Sequence, residues 1–315
     1  MGQKNQTEIP YFILTGISDV PELQAPFFFL VLFIYLITFG GHTTLLLLVF
    51  LDSELHTPMY FFLCNLSVSD ISSSTVTLHK ILFMFTTGNN TVSFLECMAQ
   101  MCIFSWLSGN ELILLTAMSY DRYVAICNPL HYTLVMNNGL CVALASFCWA
   151  FSLLQILPAM VILMRFTCYK SHVINHFFCD VMPLIDLTCN DTSVLQLLIF
   201  TEGALLSTFT PFLLTFISYV FIITAIVRIE STRRSKTFYT CSSHLMVVGL
   251  HYFSLVCQYL IPTGTLKSTK LLALFNTAVV PMLNPIVYSL KNKDVKSAFR
   301  RQLCYVRTRW RRVGL

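Results

Sequence analysis

The chain has 315 residues, of which 56% are hydrophobic and 11% are charged. Soluble domains carry about 25% charged residues, so the composition excludes a soluble globular protein. The formal net charge is +5, and most of the basic residues lie between or after the apolar stretches. That charge indicates orientation in a membrane and gives no reason to expect a nucleic-acid partner.

Seven apolar stretches are long enough to cross a bilayer, because about 20 helical residues span roughly 30 Å of hydrocarbon. Lipid requires each backbone group to bond within its own segment, which favours helices. We therefore expect an all-α membrane protein, a seven-transmembrane helix bundle with a short amphipathic eighth helix. Segments 1 to 7 are predicted at residues 26–51, 59–85, 98–123, 140–163, 194–227, 238–261 and 271–290.

The sequence predicts a single domain that covers residues 1–315. The basic residues predict its orientation in the membrane. Most of the 20 lysines and arginines follow segments 3, 5 and 7, and such residues mark the cytoplasmic side. The prediction is an extracellular arm (1–25), a bundle (26–290) and a cytoplasmic helix and tail (291–315) of a multi-pass plasma-membrane protein. Asn5 begins an Asn-Gln-Thr sequon on the outer side, where we expect glycosylation.

Segment 3 ends in MSYDRYVAICNPLHY, which contains the triplet Asp121-Arg122-Tyr123. Charges at the edge of lipid are costly unless they are paired or used. Asp121 can neutralise Arg122 locally, and a released Arg122 can bridge to another helix or to a partner protein. The alternative is an interfacial charge that only anchors the end of the helix.

Two carboxylates lie at mid-depth, Asp70 in segment 2 and Glu111 in segment 3. On neighbouring helices they repel unless a cation or a proton lies between them. Sodium and a shared proton are rival occupants, and two protonated acids bonded to neighbouring helices are a third possibility. Asn284-Pro285 in segment 7 offers an amide to this region and either a hinge or a static kink.

Four cysteines are predicted outside the membrane: Cys97, Cys168, Cys179 and Cys189. An even set in an oxidising compartment indicates disulfides, and the sequence alone leaves three pairings open. His176 and Cys179 have a spacing that could hold a soft metal, but a bonded cystine is no thiolate ligand. After segment 7, basic residues alternate with Val295, Ala298, Phe299 and Leu303, which predicts an amphipathic helix on an anionic inner leaflet.

The motifs together resemble one family, the olfactory (odorant) receptors among the rhodopsin-like class A G-protein-coupled receptors. The resemblance covers residues 12–301 and includes motifs in order along the chain: LHTPMYFFL, LSVSD, MSYDRYVAICNPLHY, HFFCD, the SY of segment 5, KTFYTCSSHL and PMLNPIVYSLKN. It implies a receptor that binds small volatile molecules and has no enzyme activity. Its implied partner is the stimulatory olfactory G protein, which raises cyclic AMP.

The resemblance also implies residue roles. It pairs Cys97 with Cys179 and Cys168 with Cys189. It assigns the G-protein switch to Asp121, Arg122, Tyr123, Tyr219, Asn284, Pro285 and Tyr288, and a sodium site to Asp70, Glu111 and Asn284. We expect no cofactor other than a structural sodium ion.

An odorant cavity is implied between segments 3, 5, 6 and 7, in their outer halves. Its implied lining is Phe104, Ser105, Ser108, Gly109, Gly203, Ser207, Tyr252, Phe253 and Tyr259. Apolar walls with a few hydroxyls suit a small, mostly apolar ligand. Phe104 stands at the usual amine-binding position, which disfavours a cationic ligand.

Two departures from the family pattern fall in the bundle. His42 replaces the asparagine that normally follows glycine in segment 1, so we expect the network around Asp70 to be weakened or rewired. In segment 6 the usual Phe-Tyr-Gly becomes His251-Tyr252-Phe253, which we expect to put bulk into the cavity floor and a titratable ring nearby.

Other classes of protein fit less well. A transporter or channel could use Asp70 and Glu111 as an ion path, but transporters usually show internal repeats and paired broken helices, and none is visible. No cluster of nucleophile and base or of metal ligands indicates a membrane enzyme. A receptor of the same fold that acts outside olfaction, or that no longer signals, remains compatible with the sequence.

Overall fold

Seven long helical segments form the protein, as the sequence predicts, in a computed structural model that describes residues 11–17, 20–228, 231–260 and 266–313. Segments 1 to 4 are the helices Pro21–Leu51, Pro58–Thr87, Phe94–Cys127 and Asn138–Leu163. Segment 5 covers Ser193–Arg228 and segment 6 covers Ser231–Leu260. Segment 7 joins Leu266–Leu274, Phe275–Val279 and Val280–Lys291. Asn5 lies outside the described residues.

Five of the described helices are long and apolar enough to cross a membrane: Glu22–Leu51, Phe94–Cys127, Asn138–Leu163, Ser193–Arg228 and Lys270–Ser289. Segment 6 contributes a shorter apolar stretch, Cys241–Cys257. Segment 2 is 30 residues long but carries Asp70 and several buried serines. It packs between segments 1 and 3, so its polar side chains face the interior of the bundle and not lipid.

Helix ends follow local chemistry. Segment 2 begins at Pro58, whose missing N–H costs nothing in a first turn. It ends at Gly88, whose φ of 69° is the left-handed conformation that favours glycine. Segment 3 begins with a capping box, in which the Ser93 side chain accepts from the Glu96 N–H and Glu96 accepts from the Ser93 N–H.

Segments 5 and 7 each contain a π-helical stretch just before a proline. Ile199–Phe209 precedes Pro211, and Phe275–Val279 precedes Pro281. A proline removes one backbone donor and displaces the carbonyl one turn earlier, so the preceding turn widens. Pro285, the predicted hinge, lies within the regular helix Val280–Lys291. The irregular turn of segment 7 is therefore nearer the outer side than the sequence indicated.

A three-stranded sheet closes the end of the bundle that the sequence places outside, and the sequence does not predict these strands. Strand β1 (Tyr11–Leu14) lies between β2 (Thr91–Ser93) and β3 (Val173–Ile174). The β1–β2 pair is antiparallel, with Phe12 opposite Val92, and the β1–β3 pair is parallel, with Leu14 opposite Ile174. We call these strands and the loop 164–192 the outer cap.

Both disulfides implied by the family resemblance are present. Cys97–Cys179 ties the outer end of segment 3 to the loop, and Cys168–Cys189 closes the loop on itself. The apolar core of the outer cap includes Phe12, Leu14 and Ile174, which are all fully buried. Covalent bonds, strand pairing and burial therefore hold the N-terminal arm over the bundle.

The C-terminal helix Lys293–Val313 is 21 residues long, so it is longer than the short eighth helix that we expected. Val295 and Ala298 are buried against the bundle, whereas Phe299 and Leu303 are exposed. Arg301 forms ion pairs with Asp52 and Glu54, which lie beyond segment 1. The helix therefore lies against the inner end of the bundle with an apolar edge free for lipid.

Candidate functional site

The two predicted carboxylates meet in the middle of the bundle. Asp70 is fully buried and Glu111 is 6% exposed. Asn284 donates to Asp70 Oδ2 at 2.9 Å, and Ser73, one turn after Asp70, donates to Glu111 Oε1 at 3.1 Å. The sequence-predicted set of Asp70, Glu111 and Asn284 is therefore brought together from segments 2, 3 and 7.

His42 enters the same region from segment 1. Its Nε2 lies 3.0 Å from the carbonyl oxygen of Pro281 and 3.3 Å from Asp70 Oδ2. A carbonyl oxygen only accepts, so His42 Nε2 carries the proton and donates. His42 therefore links segments 1, 2 and 7, which is the rewiring that its replacement of asparagine suggested. Close approach is needed here, because a Cβ on the neighbouring Gly41 would lie 3.0 Å from Pro285.

His251 reaches the cluster from segment 6. Its Nδ1 lies 3.1 Å from the carbonyl oxygen of Val247, and its Nε2 lies 3.7 Å from Glu111 Oε2. One oxygen of Asp70, one of Glu111 and one ring nitrogen of His251 lie within 4.8 Å of one another. We call His42, Asp70, Glu111, His251 and Asn284 the polar cluster.

A small cavity lies against the polar cluster. Its volume is about 10 Å³, which is room for about one water molecule. Its lining comes from segments 2, 3, 6 and 7 and comprises Ser73, Phe104, Ser108, Glu111, Leu112, His251, Leu255, Asn276, Thr277 and Pro281. Phe104 and Ser108 belong to the predicted odorant lining. Segment 5 contributes no residue to this cavity.

Several other predicted lining residues point elsewhere. Phe253 is 62% exposed, so it faces outward and does not add bulk to a cavity floor; that prediction was wrong. Gly109 faces segment 4, because a Cβ there would lie 3.5 Å from Ser152. Ser207 donates to Gln155 of segment 4 at 2.7 Å.

The remaining predicted lining residues divide into three groups. Ser105 and Gly203 are partly buried on segments 3 and 5. Tyr252 is buried and packs edge-on against Phe212, with ring centroids 5.0 Å apart. The side chain of Tyr259 lies outside the described residues.

Residues of the outer cap form a roof over the cavity. Phe177 and Phe178 are almost fully buried, and Phe178 packs edge-on against Phe104 at 5.1 Å. The Cys179 N–H donates to Gln100 Oε1 at 2.9 Å, which fixes this loop to segment 3. The HFFCD motif therefore supplies an apolar ceiling to the cavity.

His176 stands behind the roof and is kept neutral. Burial and, to a smaller extent, the nearby positive charge of Lys270 lower its pKa to about 4. Lys270 itself is 6% exposed and donates to Thr15 Oγ1 at 2.8 Å and to the Gly16 carbonyl at 2.9 Å. Segment 7 is thereby tied to the N-terminal arm.

At the inner end, Asp121 neutralises Arg122 as predicted. The Arg122 Nε donates to Asp121 Oδ2 at 2.9 Å, and Tyr132 donates to Asp121 Oδ1 at 2.8 Å. Burial and the Asp121 charge raise the pKa of Tyr132 above its ordinary value, so the phenol stays a donor. Asp121 thus receives bonds from both residues, which holds Arg122 against its own helix.

Segments 5 and 6 are joined next to this ion pair by Tyr219 and His244. The Tyr219 hydroxyl lies 2.7 Å from His244 Nδ1, and the two rings stack. Tyr288 of segment 7 is buried, and its hydroxyl has no hydrogen-bond partner among the described residues. Tyr123 packs between Tyr120 and Phe221.

Sequence reasoning missed three residues that these contacts reveal: His244, Lys270 and Gln100. His244 lies in the quoted KTFYTCSSHL motif and could have been found as an ionisable residue in an apolar segment. Lys270 and Gln100 bond to partners far away in sequence, so no local signal marks them.

Comparisons with known proteins agree with this arrangement. The family model described as "Olfactory receptor" matches residues 31–306. Human olfactory receptor 6C1 is 44% identical over 299 residues, which cover 94% of this chain and 96% of that protein. Human olfactory receptor 8U9 is 43% identical over 304 residues, which cover 96% and 98%. The crystal structure of squid rhodopsin superimposes with a TM-score of 0.70 at 19% identity, covering 93% of this chain and 91% of that one.

Proposed function

Because this chain belongs to the olfactory receptor family of rhodopsin-like G-protein-coupled receptors, we propose that it detects small volatile molecules and activates the stimulatory olfactory G protein. The family consists of plasma-membrane receptors and not of enzymes, and it implies small-molecule ligands and coupling to a G protein. The location of the ligand, the type of G protein and the rise in cyclic AMP are our proposals.

One observation carries the proposed ligand site. Glu111 and His251 line the small cavity and also belong to the polar cluster. A guest in the cavity therefore contacts the same side chains that join segments 2, 3 and 6. A ligand shifts a conformational equilibrium only through contacts that differ between the two states. Glu111 and His251, which the cavity and the polar cluster share, provide such contacts.

The lining suits a small, mostly apolar guest with one hydrogen-bonding group. Phe104, Leu112, Leu255 and Pro281 supply apolar walls. Ser108, Asn276 and Thr277 supply polar atoms. The cavity holds about one water molecule, so an odorant has to displace side chains. We expect Phe104, which packs against Phe178, to move first. We propose that this displacement is passed to segment 6.

The inner end supports coupling to a G protein. Arg122 is held by Asp121, while Tyr219 and His244 join segments 5 and 6 nearby. We propose that outward movement of segment 6 breaks the Tyr219–His244 bond and opens a cleft in which Arg122 contacts the G protein. Basic residues at this end support a cytoplasmic position and an extracellular N-terminus.

The polar cluster supports a bound cation. Asp70 Oδ1 and Asn284 Oδ1 are buried with no hydrogen-bond partner among the described residues, and both are oxygen ligands of the kind that hard cations take. We propose sodium as one occupant, held by Asp70, Glu111 and Asn284. Bound there, it supplies positive charge between two carboxylates and links segments 2, 3 and 7.

The test is expression at the surface of cells that carry the olfactory G protein and a cyclic AMP reporter. We expect a dose-dependent rise with at least one member of a panel of volatile alcohols, aldehydes, ketones, esters and acids. Arg122→Ala should abolish the rise. Replacing the olfactory G protein by an inhibitory one should also abolish it, and persistence in that case would contradict the proposed coupling.

A matched pair of variants tests the cavity. Phe104→Leu removes a ring that lines the cavity, whereas Phe253→Leu removes a ring that faces outward. We expect Phe104→Leu to change the half-maximal odorant concentration by about tenfold, since one buried aromatic contact contributes roughly 1.4 kcal/mol or more. Phe253→Leu should leave it unchanged. Equal effects would place the ligand elsewhere.

A further inference from the structure

In the polar cluster, the tautomer of His251 and its distance from Glu111 leave two hydrogen-bond acceptors facing each other. The carbonyl oxygen of Val247 only accepts, so the His251 Nδ1, 3.1 Å away, carries the proton. In the imidazole form with this tautomer, His251 presents a lone pair at Nε2, which lies 3.7 Å from Glu111 Oε2. The buried Nε2 has no hydrogen-bond partner among the described residues. This contact is repulsive unless a proton or a metal cation lies between the two atoms.

We propose that the ion is zinc, held by Asp70, Glu111 and His251. This inference rests on the cation cluster of the proposed function and changes its preferred occupant, because His251 adds a nitrogen ligand that sodium, calcium and magnesium do not favour. Each ligand comes from a different segment, so bound zinc joins segments 2, 3 and 6.

The ligand set fits zinc in number and orientation. Zinc sites with an open position use three protein ligands of the His and Asp or Glu type and one water. The three candidate ligand atoms lie within 4.8 Å of one another, and a water-sized cavity adjoins Glu111 and His251. A ligating histidine usually donates its other N–H to a carbonyl or carboxylate, as His251 does to Val247.

The charge balance also favours a divalent ion. Asp70 and Glu111 together carry two negative charges when ionised, and both are at least nine-tenths buried. One sodium ion leaves one of these charges uncompensated at mid-membrane depth, where an unpaired charge is costly. One zinc ion neutralises both. His42 is not needed as a ligand, because its Nε2 proton is directed to Pro281.

The experiment uses the full-length receptor in lipid nanodiscs, purified without a polyhistidine tag and stripped with a chelator. Zinc chloride is titrated, and the unfolding temperature is followed by intrinsic fluorescence. Magnesium chloride and sodium chloride are the comparison salts. We expect saturable stabilisation by zinc with about one zinc per receptor by elemental analysis, and no comparable effect of magnesium at the same concentration.

Two variants address the ligands directly. His251→Phe restores the residue that the family pattern has there, and Glu111→Gln keeps the shape of the side chain. Each should raise the zinc dissociation constant more than about 100-fold, because even loss of a partner that orients a ligand costs 10- to 100-fold. His79→Gln removes an exposed histidine of segment 2 and should leave zinc binding unchanged.

The zinc titration of wild-type protein can by itself overturn the proposal, even if the variants do not fold. Absence of zinc stabilisation, or equal stabilisation by magnesium, would rule out a site with a nitrogen ligand. Zinc stabilisation that survives in His251→Phe would place the ion elsewhere. None of these results depends on an odorant or a G protein. Failure of the zinc proposal is therefore distinguishable from failure of the proposed receptor function.

Discussion

The outer cap and the polar cluster are held together by different means. In the outer cap, two disulfides, two strand pairings and a buried apolar core fix the N-terminal arm and the loop 164–192. In the polar cluster, single hydrogen bonds join segments 1, 2, 3 and 7, and polar atoms of Asp70, His251 and Asn284 have no partner among the described residues. The first arrangement maintains one conformation, whereas the second can be rearranged by one ion or one ligand.

The inner end resembles the polar cluster more than the outer cap. Arg122 is held by its neighbour Asp121, and a single hydrogen bond between Tyr219 and His244 joins segments 5 and 6. A hydrogen bond contributes only about 1 kcal/mol, which is the scale on which conformational populations shift. The outer cap should therefore govern stability, whereas the polar cluster and the inner end should govern signalling.

The largest expected effect is loss of a disulfide from the outer cap. Cys97–Cys179 closes 82 residues and Cys168–Cys189 closes 21 residues. In the chain-entropy relation, their losses cost about 4.5 and about 3 kcal/mol of unfolding free energy. Cys97→Ser and Cys189→Ser should therefore both lower the unfolding temperature and the amount of receptor at the surface, with Cys97→Ser the more severe. Thermal unfolding and surface labelling measure this.

Free Cys148 on segment 4 provides the control for those two substitutions, because it is buried and unbonded. Cys148→Ser should have a smaller effect than either. If Cys97→Ser retained wild-type stability but lost signalling, the outer cap would govern signalling, like the polar cluster, and would not govern stability.

A smaller effect is expected from pH, through His176 of the outer cap. Burial lowers its pKa to about 4, so the folded protein keeps His176 neutral while the unfolded chain binds a proton below about pH 6.5. Stability is therefore lost as pH falls from about 6.5 toward 4, and the loss at pH 5 is about 2 kcal/mol. His176→Gln should flatten this part of the profile of unfolding temperature against pH.

His131 is an exposed histidine, and its substitution His131→Gln should leave the pH profile unchanged. A profile that is equally steep in His176→Gln and in wild-type protein would show that another group titrates. The pH dependence of the outer cap would then arise from a group other than His176.

The smallest expected change in free energy produces a signalling effect. His244→Phe keeps a ring against Tyr219 but removes the bond between segments 5 and 6. Loss of about 1 kcal/mol should raise basal cyclic AMP about fivefold, with little change in unfolding temperature. Tyr219→Phe removes the same bond from the other side and should give a similar rise.

Tyr120 is 40% exposed and lies one helical turn from Tyr123, so Tyr120→Phe serves as the control for Tyr219→Phe. It should leave basal cyclic AMP unchanged. Lower basal activity in both His244→Phe and Tyr219→Phe would mean that the bond stabilises the signalling conformation, which reverses its proposed role.

Much of the site could be predicted because its residues carry strong local signals. Asp70 and Glu111 are carboxylates in apolar segments, and Asn284 precedes a proline in segment 7, so all three were identified before the structure placed them together. Phe253 was assigned to the wrong face, since its position in a motif does not state which way its side chain points. Gly109 and Ser207 were misjudged for the same reason, because both face segment 4.

The sequence by itself determined the number of segments, the positions of the polar side chains within them and the four cysteines of the outer cap. Hydrophobicity and charge are local properties, so a single chain displays them directly. Only the tertiary structure decided that β1 pairs with the distant strands β2 and β3, that Lys270 bonds to Thr15 and that His251 faces Glu111. Those contacts depend on how helices rotate and pack against one another, and that depends on the whole chain at once.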